Sequence, residues 1–199
     1  MTKLYLTRGN SREKVCLFLP ATPGEAGEAW GALDCISDDV ASTRIVRVVS
    51  DVWGIERHFK DVDINDSEQF KKMNQIAEII GRLENDESRI FEGALDIEDV
   101  RNLDDVINIG ERLDQYILIS KATSISELGV FLIQSGIVNF DKSTLPSPDY
   151  NRIGIEYGLK HRGAYTPGGF VARRDCVEQD LINVVEKDMQ RKSCEMKMG

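Results

Sequence analysis

The spacing of apolar residues near the N-terminus predicts a small sheet. Residues 3–7 and 14–19 are short apolar runs separated by the turn residues 9–11, which is typical of a β-hairpin. Pro20 ends the second strand because proline cannot donate a hydrogen bond to a strand ladder. A third run, 43–49, is rich in β-branched residues and predicts another strand.

A helix is predicted between the second and third strands. Thr22 is placed to cap it, with Pro23 at the first helical position and Glu25 two residues later, where it completes a capping box. Apolar residues then recur at helical spacing, at Ala26, Ala29, Trp30 and Leu33. Together these elements predict a ββαβ unit over residues 1–60.

Residues 61–115 have the three- and four-residue spacing of amphipathic helices. Asp66 is predicted to cap the first helix, and a break follows at residues 85–86. Ser88 is predicted to cap the second helix, and Asn102 or Asp99 the third, which runs to Leu113. Three short helices with one apolar face each predict a compact helical subdomain.

The last third returns to mixed patterns. Residues 116–120 predict a strand, and Ser124 and Asp149 are predicted caps of two further helices, with a proline-containing loop over 143–149 between them. Residues 163–173 predict a turn that leads into a terminal strand. Residues 175–190 predict an amphipathic helix before a frayed end.

These elements predict an α+β fold, a chain of small subdomains. The predicted subdomains are the ββαβ unit at 1–60, the acidic helical middle at 61–115, a C-terminal α+β unit at 116–174, and a helix and tail at 175–199.

Composition adds a cellular setting. Of the 199 residues, 41% are hydrophobic and 30% are charged, which is ordinary for a globular protein. No apolar run approaches the 20 residues of a transmembrane helix, and the first 14 residues resemble no signal peptide. We therefore expect a cytoplasmic protein with no membrane partner, in which the four cysteines are reduced thiols.

The charge is concentrated in one segment. Residues 51–115 carry eight basic and eighteen acidic side chains, whereas the segment before them is neutral and the segment after them has a net charge of +1. Such a concentration predicts no direct binding of nucleic acid by this region and an attraction to basic surfaces. The alternative is that the carboxylates only form solvated helix faces that keep the protein soluble.

The sequence contains little evidence for a catalytic site. Cys16 is expected to be a small core residue, and Cys176, which follows two arginines, is the cysteine expected to have a lowered pKa. No motif links either one, or Cys35, to His58 or His161.

Cofactor and metal signals are also weak. The stretch from Asp61 to Glu68 lacks the central glycine and the length of a calcium loop, and no phosphate-binding glycine motif is present. Trp30 and Trp53 are expected to be core anchors. We therefore predict no enzyme, no catalytic residue, no cofactor and no metal.

Several segments, in this order, resemble the ArdA-type antirestriction proteins carried by conjugative elements of Gram-positive bacteria. The similarity covers about residues 3–174. It is carried by LFLPATPGEAGEAW at 17–30, FEGAL at 91–95, LDDVIN at 103–108, DQYIL at 114–118, DYNRIGIEYG at 149–158 and GAYTPGGFV at 163–171.

This resemblance implies an elongated, usually dimeric mimic of B-form DNA that occupies the DNA site of type I restriction–modification enzymes. Carboxylates spaced along helices then stand in for phosphates. The predicted phosphate-mimicking residues are Asp61, Asp63, Asp66, Glu68, Glu84, Asp86, Glu87, Glu92, Asp96, Glu98, Asp99, Asp104, Asp105, Glu111 and Asp114.

The chain departs from this pattern in its last segment, which is basic. The basic residues there are Arg162, Arg173, Arg174, Lys187, Arg191 and Lys192. They favour an alternative, an anti-CRISPR inhibitor of an RNA-guided nuclease such as Cas9, whose basic channels bind nucleic acid. A metal-dependent or cysteine hydrolase acting on nucleic acid, and a plain interaction module, are the remaining alternatives.

Overall fold

The computed structural model describes residues 1–140 and 147–181. Helices and two small sheets are both present, which confirms the predicted α+β class. The chain divides into two compact units, one from Met1 to Leu113 and one that begins at Asp114. The finer subdomain boundaries stay predictions.

The first unit opens with the predicted hairpin and helix. Strands β1 (Thr2–Thr7), β2 (Val15–Leu19) and β3 (Arg44–Val49) form an antiparallel sheet in the order β2-β1-β3. Helix α1 (Pro23–Ile36) lies between β2 and β3 in the chain and contacts β1 and β2. The predicted capping box of Thr22 and Glu25 is confirmed, and a short 3-10 helix (Val40–Ser42) leads into β3.

A buried arginine joins three parts of this unit. The Arg8 side chain is only 1% exposed. Its Nε donates to Thr43 Oγ1 at 2.9 Å, and its Nη1 donates to Asp34 and, at 3.1 Å, to the Ser37 carbonyl. The end of β1 is thereby bonded to the end of α1 and to the start of β3. Hydrogen bonds of this kind to a charged group are stronger than neutral ones.

Four helices complete the first unit. They are α2 (Glu56–Phe59), α3 (Ser67–Arg82), α4 (Asn85–Ile97) and α5 (Leu103–Gly110). Asp66 and Asn102 cap α3 and α5 as predicted. Each of the three longer helices buries one apolar stripe, and the stripes include Met73, Ile76, Ile80, Phe91, Ala94, Val106 and Ile107.

Two predicted boundaries in this region are wrong. Helix α4 begins at Asn85 after Glu84, so Ser88 lies within its first turn, where its N–H donates to the Glu84 carbonyl at 2.8 Å. Helix α5 ends at Gly110, before the predicted end at Leu113, and Leu113–Gln115 form a separate 3-10 helix. Polar residues that resemble caps are common in an acidic segment, so the pattern alone does not select the true one.

The second unit has a sheet and three described helices. Strands β4 (Tyr116–Ile119), β5 (Ala164–Thr166) and β6 (Gly169–Arg173) pair antiparallel in the order β4-β6-β5, so the predicted terminal strand is the second strand of a hairpin. Helices α6 (Ile125–Gln134) and α7 (Tyr150–His161) begin at the predicted caps Ser124 and Asp149. Residues 174–181 form a further helix, α8.

Three predictions fall partly or wholly outside the described residues. These are the loop at 143–149 except for its last residues, the predicted helix beyond residue 181, and the tail that follows it.

Helices α6 and α7 approach each other so closely that the contact requires glycine. A methyl group added at Gly129 would overlap the Tyr150 carbonyl oxygen, and one added at Gly154 would overlap the Ile125 carbonyl oxygen. Backbone therefore packs directly on backbone where these helices cross, and Leu128, Leu132 and Tyr157 extend the contact into the core of the unit.

Substitution of either crossing glycine is expected to destabilise the protein strongly. Gly129→Ala or Gly154→Ala should each lower the free energy of unfolding by about 3 kcal/mol, because a backbone carbonyl cannot rotate away from the added methyl group. Gly158→Ala on the same helix is the control. Its methyl group would lie 3.7 Å from its nearest neighbours, so a gain of up to about 1 kcal/mol in helix propensity is expected. Urea denaturation followed by circular dichroism measures all three, and wild-type stability in Gly129→Ala would contradict the described crossing.

A cluster of polar groups holds α8 against α7. Tyr157 donates its hydroxyl to Asp180 Oδ2 at 3.2 Å, and its ring lies 4.1 Å from that of His161. His161 Nε2 is buried, 3.6 Å from Asp180 Oδ2, and has no hydrogen-bond partner among the described residues. Burial, and then Lys160, lower the pKa of His161 against the opposing effect of Asp180.

The lowered pKa of His161 predicts that acid weakens the second unit. Below pH about 6.5 the unfolded chain binds a proton at this histidine while the folded chain does not, so stability falls as the pH drops towards the folded-state pKa. His161→Phe removes this titration. Between pH 7 and pH 5 the wild type should therefore lose more stability than His161→Phe, by about 1.4 kcal/mol per unit of lowered pKa. Parallel pH curves for the two proteins in denaturant titrations would contradict the described burial.

Candidate functional site

Most of the predicted phosphate-mimicking carboxylates reach the surface. Fourteen of the fifteen belong to the first unit, and Asp114 begins the second. Glu98 and Asp105 are half-buried and Glu92 is buried. The exposed residues are Asp61, Asp63, Asp66, Glu68, Glu84, Asp86, Glu87, Asp96, Asp99, Asp104, Glu111 and Asp114.

Helix starts position many of these side chains. Asp66 caps α3 by accepting the Glu68 N–H at 2.8 Å, and Glu68 itself lies in the first turn. Glu87 accepts the Glu84 N–H at 3.0 Å at the start of α4. Anionic side chains at a helix N-terminus are stabilised by the helix dipole and by the unpaired N–H groups there. Part of the acidity is therefore explained by local folding alone.

Helices α3 and α5 bring one group of carboxylates together. Lys72 Nζ lies 2.8 Å from Asp104 Oδ2, and Gln75 Nε2 donates to Glu111 at 3.3 Å. The hydrogen bond that Lys72 donates to Asp104 raises the pKa of Lys72, and the charges of Glu68 and Asp66 add to the effect. Three carboxylates therefore surround a single ammonium group, which leaves this part of the surface negative.

A polar cleft of about 530 Å³ lies next to this group. Its lining includes Asp61, Asp63 and Asp66, together with Arg57 and Arg101. Each arginine already has an acidic partner outside the lining set.

The ion pairs of these arginines keep the cleft from becoming basic. Arg57 Nη2 lies 2.5 Å from Asp96 Oδ1, and Arg101 Nη2 lies 2.6 Å from Asp99 Oδ2. Burial, and then Arg57, lower the pKa of the neighbouring His58, which favours its neutral form. The carboxylates therefore determine the charge of this surface.

The surface role predicted for Glu92 is wrong. Glu92 is 2% exposed and lies inside the first unit. Both of its oxygens accept from Arg89 Nη1, at 3.1 and 3.0 Å, and Oε1 also accepts the Trp53 N–H at 3.0 Å. A buried carboxylate needs such partners to offset its desolvation, so Glu92 supports the structure of the unit and does not face a partner.

The predicted position of Trp53 is wrong. It was expected in the core, but it is 64% exposed. Trp30 is half-buried, with its ring 5.5 Å from that of Phe70 in an edge-on arrangement. The available signal was the sequence around Trp53, where Ser50, Asp51 and Gly54 are typical of a turn.

Three of the four cysteines are described, and all three are free and exposed. Cys16 is exposed on β2, so its predicted core position is wrong. Burial and the neighbouring Asp175 raise the pKa of the Cys176 thiol, contrary to the expected lowering. A raised pKa disfavours the nucleophilic thiolate. Cys194 lies outside the described residues.

Metal ligation and membrane insertion receive no support within residues 1–140 and 147–181. No group of three or more His, Cys, Asp or Glu side chains there is arranged to hold a metal ion. No helix there has the length and apolar character needed to cross a bilayer.

Comparison of the chain with models of known protein families and with curated proteins finds no match.

Loss of the buried carboxylate is expected to be costly. Glu92→Ala leaves the Trp53 N–H without its acceptor and Arg89 without its partner, so the free energy of unfolding should fall by about 2 kcal/mol. Asp61→Ala, at an exposed carboxylate of the cleft, should stay within about 0.5 kcal/mol of the wild type. Urea denaturation compares the two, and equal stabilities would contradict the structural role of Glu92.

Proposed function

We propose that this protein is an acidic DNA mimic that occupies the DNA-binding site of a bacterial type I restriction–modification enzyme and performs no catalysis itself. One observation carries the proposal. Eleven of the twelve exposed carboxylates of the predicted set belong to a single compact unit. The resemblance to ArdA-type proteins supports the same function and extends the proposal to a homodimer.

Electrostatics explains how such a surface would compete with DNA. An enzyme that binds DNA lines its groove with Lys and Arg, and much of its affinity comes from the neutralisation of phosphates. Carboxylates held on a folded scaffold are preorganised, which reduces the entropy lost when they bind. Affinity that comes from many weak charge pairs falls as salt screens them.

The competing explanation is that the acids only start helices and keep the protein soluble. It accounts for Asp66, Glu68 and Glu87, which act locally. Asp63 also acts locally, because its side chain accepts the Asn65 N–H at 3.0 Å. A local folding role does not account for Asp61, which lines the cleft outside any helix. The two explanations differ in what they predict for a partner, because a solvated face makes no salt-dependent complex.

Of the described basic residues in the last segment, Arg162 is exposed, whereas Arg173 and Arg174 have contacts within the unit. Arg174 Nε donates to the Asp114 carbonyl at 2.8 Å, and Arg173 lies 3.6 Å from Asp175, so both have partners within the unit. Lys187, Arg191 and Lys192 lie outside the described residues. An RNA-guided nuclease is therefore tested as the alternative binding partner.

Reversal of several carboxylates together is expected to abolish inhibition. Asp61, Glu68, Asp86 and Glu111 are exposed residues whose side chains make at most one weak hydrogen bond among the described residues. Since a single exposed ion pair contributes about 1 kcal/mol or less, single changes should be nearly silent. Conversion of all four to Lys should weaken binding to a purified type I enzyme at least 100-fold, as measured by fluorescence anisotropy at several salt concentrations.

A matched variant separates local charge from total charge. Glu13, Glu28, Asp38 and Glu178 are exposed acids outside residues 51–115, and their conversion to Lys changes the net charge by the same amount. This control should lose much less affinity than the test variant. Equal loss in both variants, or full inhibition by a folded test variant, would contradict the mimic. Displacement by duplex DNA and a parallel Cas9–guide titration identify the target.

A further inference from the structure

The backbone that carries the exposed Trp53 ring has a rigid support. Val52 and Ile55, on either side of it, are 1% and 0% exposed, so the loop is fixed in the core at both ends. At Trp53 itself, the backbone N–H is bonded to the buried carboxylate of Glu92. The loop therefore cannot turn to bury the indole without losing these contacts. An apolar ring exposed in this way is unusual, since most Trp side chains are largely buried.

The same support joins Trp53 to the acidic surface. Glu92 lies on α4, and one turn further along that helix Asp96 pairs with Arg57. Arg57 also donates to the Leu95 carbonyl at 3.1 Å, and it lines the cleft that contains Asp61 and Asp63. A continuous series of contacts therefore leads from the Trp53 loop to the carboxylates within one compact unit.

We infer that Trp53 is the aromatic anchor of the complex and stacks in the partner's DNA site where an unstacked base would lie. The inference rests on the proposed function and assigns the indole a role that the carboxylates cannot fill. They imitate phosphates, whereas the two fused rings of Trp53 offer the flat face of a base.

Enzymes that modify DNA provide the matching surface. Methylation of a base requires the base to leave the stack, and the enzyme holds it between aromatic or apolar side chains. Stacking of a ring on such a surface contributes to affinity without regard to sequence. Trp is also the residue type most enriched among side chains that dominate the energy of protein interfaces. The negative charge of the surrounding segment directs this ring towards a basic, DNA-binding cleft.

The salt dependence of binding distinguishes the contribution of Trp53 to the affinity from that of the carboxylates. Trp53→Ala should raise the Kd for the type I enzyme at least about 10-fold at every salt concentration, because it removes stacking but no charge. The slope of log Kd against log salt should stay that of the wild type, whereas the four-carboxylate variant should have a shallower slope. Trp53→Phe should recover part of the affinity. Phe18→Ala, at a ring 49% exposed on β2 in the same unit, is the control and should bind like the wild type.

The position of the ring is read by fluorescence. In Trp30→Phe, Trp53 is the single tryptophan. Its emission should shift to shorter wavelength, and its quenching by acrylamide should fall, when the enzyme is added. If Trp53→Ala has an unchanged Kd and the quenching of Trp53 does not change either, the anchor role of Trp53 is contradicted, but the proposed DNA mimicry is not. No binding of the wild type to the enzyme would overturn both, and equal loss in Phe18→Ala would overturn the specific role of Trp53.

Discussion

Repulsion among carboxylates is the constraint that shapes the first unit. Residues 51–113 hold seventeen acidic side chains against eight basic ones, and folding brings them closer together. Burial of one apolar stripe on each of α3, α4 and α5 opposes this repulsion. Most of the acids remain in water, where the high dielectric constant weakens their mutual effect. Two ion pairs join different elements, Lys72 with Asp104 and Arg57 with Asp96.

Local sequence signals predict most of the helices and strands. The wrong predictions concern features that depend on tertiary contacts. Caps at Asp66, Ser124 and Asp149 were predictable because a capping side chain bonds to N–H groups two or three residues away. Cys16 was misplaced because β2 is apolar at every position, so its alternation does not reveal which face is buried. Only the pairing of β2 with β1 resolves that question.

The same distinction applies to the candidate surface. Exposure of most carboxylates follows from their charge, since unpaired charges are rarely buried. Glu92 is the exception because its burial depends on the N–H of Trp53, 39 residues earlier in the chain. Its spacing from Arg89 gave a hint, but an ion pair three residues apart is also common on exposed helix faces. For Trp53 the neighbouring residues indicate a turn, but the bond that fixes its N–H to Glu92 is not local in sequence.

The glycine crossing of α6 and α7 has a consequence for how this sequence can change over generations. A single methyl group at position 129 or 154 meets a carbonyl oxygen of the other helix, so no small substitution leads gradually away from glycine. Divergence at one position requires the two helices to move apart, which removes the reason for glycine at the other. Related sequences should therefore keep both glycines or lose both.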